Sequence, residues 1–70
     1  MQFFKLTCPD GSILILNRDE ILSVVFQNGE LRITAKTDCF TIKSYNNKDG
    51  DKVMNVLLKW LNWEFNDENV

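Results

Sequence analysis

At 70 residues, with 44% hydrophobic and 26% charged side chains and a formal charge of −2, the sequence reads as one small globular domain. That balance does not fit a wholly disordered chain or a fibrous repeat, and the length excludes a second domain. The longest apolar runs, residues 13–16 and 24–26, are far shorter than a membrane span, and the opening MQFFKLTCPDGS has no secretory-signal pattern, so a cytoplasmic protein is expected.

In chain order, residues 3–8 (FFKLTC) alternate in polarity from Phe4 onward and predict a half-buried strand with Phe4, Leu6 and Cys8 inward. PDG at 9–11 is turn chemistry, because proline fixes φ and glycine permits a positive one. SILIL at 12–16 is apolar on both faces, which predicts a central or doubly covered strand. Asn17 and Glu20 stand at capping-box spacing and predict a short helical turn. ILSVVFQ, then Asn28-Gly29, then ELRITAK is a hairpin signature, since Asn-Gly suits the turn type that matches strand twist. Its second strand turns Leu31, Ile33 and Ala35 inward. A tight turn at Thr37-Asp38 leads into CFTIKSY, with Phe40 and Ile42 inward. NNKDGD at 46–51 reads as a loop, with Asp49 or Asp51 capping a helix over residues 52–65.

The fold class expected is α+β: an antiparallel meander of about five short strands with one C-terminal helix packed on one face. The domain spans residues 1–65, and residues 66–70 form a flexible acidic tail.

The helix carries an unusual distribution of side chains. Lys52, Asn55, Lys59 and Asn62 fall within a polar arc of about 80°, and Val53, Met54, Val56, Leu57, Leu58, Trp60, Leu61, Trp63 and Phe65 span roughly 220°. A surface helix on one core needs a narrower stripe. Two covers would account for the excess: a curled or two-faced sheet of the same chain, or a second protein. On the second account the interface residues are Trp60, Trp63, Leu58 and Phe65. Trp63 is foremost, because it stands at the arc's edge with an indole N–H for a partner.

Reactive chemistry is sparse. There is no histidine, Cys8 and Cys39 are too few and too far apart for a zinc site and read as small core residues, and no phosphate loop is present. No catalytic residue, cofactor or metal is expected, and no membrane contact. The outward strand positions gather Lys5, Thr7, Arg32, Thr34, Lys36, Thr41 and Lys43. Lys5, Arg32, Lys36 and Lys43 therefore form the alternative site, for nucleic acid or another anionic ligand. Residues 1–43 carry five basic and five acidic side chains and residues 44–70 three and five, so the acidic excess lies in the C-terminal third, and the net charge of −2 weighs against that alternative.

The order FKLT, DGS, LN with EILSV, a hairpin, and FTIKSY before a terminal helix resembles the small flagellar FlbD-type proteins, also called the swarming-motility SwrD type. Lys5, Leu6, Thr7, Gly11, Asn17 and Ile21, then Ile42, Lys43 and Ser44, carry the likeness, which covers about residues 3–61. It implies a sheet-plus-helix module associated with motility, without catalysis, acting through contacts; it transfers no functional residues. From the residues themselves, the expected function is a small protein-binding regulator, adaptor or inhibitor that contacts a protein partner or a second copy of itself.

Overall fold

Each turn signal in the sequence separates two strands, and the chain is α+β. The computed structural model describes residues 2–63. Its elements are β1 (Phe3–Thr7), β2 (Ile13–Asn17), a 3-10 turn (Arg18–Glu20), β3 (Ile21–Gln27), β4 (Glu30–Ala35), β5 (Cys39–Ile42) and α1 (Asn47–Leu61). All strand pairs are antiparallel and sequential, but the meander breaks into two sheets, β1-β2 and β3-β4-β5. The break is the 3-10 turn. The turn is where the spacing of Asn17 and Glu20 put it, but the Asn17 side-chain oxygen caps it by accepting from Asp19 N–H at 3.2 Å rather than from Glu20.

The β3-β4 hairpin turns at Asn28 and Gly29, both at positive φ (53° and 77°), the geometry that Asn-Gly tolerates. Near its start β3 carries a bulge between Ile21 and Ser23, so Leu22 has no partner and points out, 58% exposed. The extra residue resets the alternation. Ile21 is buried before the bulge, and Val24 and Phe26 pack on the core after it. On β4 and β5 the inward sets are the expected ones: Leu31 and Ile33 are fully buried, Ile42 is buried, and Ala35 and Phe40 pack beside them.

Three expectations need correcting. β2 is not a central or doubly covered strand: it pairs only with β1, and while Leu16 is buried, Ile13 and Ile15 stand 56% and 58% exposed on the other face. Cys39 is exposed rather than in the core, because strict alternation with Phe40 and Ile42 inward must turn it out; Cys8 is buried, and both thiols are free. The 46–51 segment is no loop. Asn46, not Asp49 or Asp51, is the N-cap: its side-chain oxygen accepts from Asp49 N–H at 2.8 Å while its Nδ2 donates to the Asp49 carboxylate at 3.0 Å. The helix therefore begins five residues earlier than residue 52. It also ends at Leu61 rather than running on to residue 65: Asn62 takes the left-handed conformation (φ 55°), which leaves Trp63 off the helix, and returns its N–H to Leu58 C=O at 3.0 Å.

One core joins all elements: Leu6, Cys8 and Leu16 from the hairpin, Ile21, Leu31, Ile33 and Ile42 from the larger sheet, Tyr45, and Leu57 and Leu61 from the helix. The helix bridges the two sheets. At its first turn Gly50 lies against the Phe26 ring of β3. At its last turn Trp60 packs on Phe4 of β1, with centroids 5.2 Å apart and the rings tilted by 43°, and the Trp60 carbonyl accepts from Arg18 Nη1 at 3.3 Å.

Candidate functional site

The wide apolar arc of the helix is used mostly inward. Gly50, Leu57 and Leu61 are buried, and Val53, Met54 and Trp60 pack against the core; Trp63, past the helix end, packs on it too. This spacing of three and four residues is an ordinary helix stripe. Leu58 is partly covered, Val56 is the large apolar side chain of the helix that stands out, at 49% exposure, and Phe65 lies outside the described residues, as does the 66–70 tail. Of the four expected interface residues, Trp60 lies at the helix's C-terminal end against Phe4 of β1, and Trp63, just past that end, packs on the core. Leu58 is not among the side chains packed on it.

Among the described residues most of the exposed apolar surface lies on the strands. Phe3, Ile13, Ile15, Leu22 and Val25 are each 46% to 58% exposed. Three of them form one stripe on the outward face of the hairpin. In its register Phe3 stands opposite Asn17, Lys5 opposite Ile15, and Thr7 opposite Ile13, so Phe3 is diagonal to Ile15 and Ile15 is two along from Ile13. A hairpin with a buried face and an apolar outward face is a poor solvent boundary. The signal was in the sequence: SILIL is two-faced, and among the described residues one α-helix is present, packed on the opposite face of the strands.

The basic residues do not gather. Lys5 is on the two-stranded sheet and Arg32 on the three-stranded sheet, where its Nη2 lies 3.6 Å from the Glu30 carboxylate. Lys36 follows β4 and Lys43 follows β5, at opposite ends of an antiparallel pair. The expected common face of Lys5, Arg32, Lys36 and Lys43 is thus divided, because the sheet itself is divided. The outward face of β3-β4-β5 mixes Ser23, Val25, Arg32, Thr34 and Thr41, a solvated antiparallel pattern.

An open groove of about 490 Å³ runs between the 9–12 turn and residues 41–44. Asp10 lines it, and its carboxylate accepts from Ser12 Oγ at 2.6 Å and Ser12 N–H at 2.9 Å; these bonds hold its pKa below the usual carboxylate value. That places Asp10 in a turn, as a solvated anchor. Beneath the β-sheet the sole tyrosine, Tyr45, is buried with its hydroxyl unpartnered, and burial, then the nearby Cys8, pushes its pKa up. Among the described residues no group of three or more His, Cys, Asp or Glu comes together to hold a metal ion, and no helix is long and apolar enough to cross a membrane. Comparison with family models, curated proteins and solved structures returns no match.

Proposed function

We propose that this chain is a small non-catalytic protein-binding module that acts through apolar contacts, as a regulator, adaptor or inhibitor, and that it associates with itself. The observation that carries this reading is the outward stripe of Phe3, Ile15 and Ile13, three large apolar side chains more than half exposed on one face of a two-stranded sheet. Trp63, partly buried at the end of the helix, borders the core and extends the apolar character at that end of the molecule. The FlbD-type resemblance agrees in kind, since it implies a sheet-plus-helix protein working by contact.

The test is capture by immobilised protein, comparing the unmodified chain with a Phe3→Ser, Ile13→Ser double variant at low and high salt. Apolar binding is lost in the variant and persists or strengthens in salt. Equal capture by both chains, or capture by the unmodified chain that decays steeply with salt, overturns the reading and favours the basic residues as anion binders instead.

A further inference from the structure

The N-terminal hairpin leaves one edge unguarded, and the phase of its hydrogen bonds identifies the groups that face outward there. Cys8 N–H donates to Ser12 C=O at 2.8 Å and Arg18 N–H to Gln2 C=O at 2.9 Å. Between them the register sets Leu6 opposite Leu14 and Phe4 opposite Leu16. Antiparallel alternation then makes 8/12, 6/14, 4/16 and 2/18 the hydrogen-bonded pairs. Leu14 and Leu16 direct their main-chain groups to β1, whereas Ile13, Ile15 and the Asn17 N–H aim away from it. Among the described residues no backbone group outside the hairpin bonds Ile13 or Ile15.

Other strands at sheet edges carry protection that β2 lacks. β1 turns Lys5 outward, β3 is bulged at Leu22, and β5 has only four residues before Lys43. β2, ILILN, has no charge, proline, glycine or bulge, and its outward side chains are exposed isoleucines. Such an edge is a template for another strand.

We propose that β2 is a homodimerisation edge: a second copy of this chain adds its own β2 antiparallel, with the two-fold axis at Ile15, joining two hairpins into one four-stranded sheet. This rests on the self-association in the protein-binding reading above and specifies its geometry. The register is self-complementary. Ile15 meets Ile15 of the second copy, and Ile13 meets Asn17 of the second copy. About four main-chain hydrogen bonds then close on groups that otherwise face water. Because β2 is uncharged, two chains of charge −2 meet there without a like-charge pair. Area selects this mode over stacking of the outward faces: three half-exposed side chains offer on the order of 300 Å², against about 800 Å² per partner in a standard interface. Edge pairing draws on main-chain bonds, and it extends the apolar stripe across both copies.

The test combines sedimentation with amide hydrogen exchange on the full chain. The unmodified protein is expected to pass from monomer to dimer with concentration, in high salt as in low, while the amides of Ile15 and Asn17 gain protection. Ile15→Lys sets like charges opposite each other, and Ile15→Pro removes the outward N–H at a position where an edge strand accepts proline. Each is expected to weaken the dimer at least about tenfold, with circular dichroism unchanged. A monomer at every concentration overturns the proposal. So does a dimer that survives both substitutions, or one whose Ile15 and Asn17 amides gain no protection; in those two cases the binding reading stands and its surface lies elsewhere. Should either variant fail to fold, exchange on the unmodified chain decides alone.

Discussion

Gly50 in the first turn of the helix lies so close to the ring of Phe26 that a Cβ built on the glycine would fall inside the ring's van der Waals surface. The contact replaces a side chain with close approach of helix to sheet. It also holds Phe26, whose other neighbour is Tyr45, edge-on at 6.4 Å.

Gly50→Ala tests that contact against helix propensity. Propensity alone favours alanine by about 1 kcal/mol. Overpacking against a ring already confined on its other side costs about 1–3 kcal/mol, so net destabilisation is expected. Urea unfolding of Gly50→Ala, Phe26→Leu and the double variant reads the coupling: the double variant is expected to be more stable than the sum of the two single losses.

Tyr45→Phe removes a buried hydroxyl with no partner while keeping the ring. An unpaired buried hydroxyl costs about 1–3 kcal/mol, so the variant is expected to equal or exceed the unmodified chain in stability. A loss beyond about 1 kcal/mol in chemical denaturation would show that the hydroxyl does make a stabilising bond.

The same residue sets an alkaline limit. Burial raises the Tyr45 pKa in the folded state, so the folded chain favours the neutral phenol. Its contribution is fully present below the unfolded value of about 10 and is lost as pH rises through the folded value. Tyr45 is the one tyrosine in the sequence, so phenolate absorbance reports it alone. The expected titration midpoint lies above that of the urea-unfolded chain.

Asn46→Ala removes the helix cap and is expected to cost about 1 kcal/mol. Asp51→Ala, at a position the loop reading offered as a cap, is expected to change stability by less than about 0.5 kcal/mol. Comparable losses in the two variants, measured by thermal unfolding, would contradict the capping geometry.

Trp60→Ala separates core from contact surface at the end of the helix. Trp60 packs on Phe4 and is partly buried, so truncation is expected to destabilise the fold by about 2–3 kcal/mol. Val56→Ser, on the exposed side of the same helix, is expected to cost far less. Unfolding midpoints of the two variants check the contrast.

Local sequence determined the elements. Period-two alternation identified the inward sets of β1, β4 and β5, Asn28-Gly29 fixed the hairpin turn, and Asn17 marked the 3-10 turn, because each is a matter of neighbouring dihedrals and side-chain direction. The 46–51 segment misled because glycine and asparagine usually mark loops. Only the ring of Phe26, a residue far away in the chain, shows why a glycine belongs in that helix. Tertiary structure alone decided where the strands part into two sheets, and with that which apolar faces are covered. Most of the helix's described apolar positions found cover inside the molecule and the outward face of β2 did not, since the stripe of α1 faces the shared core and, among the described residues, leaves Ile13 and Ile15 exposed.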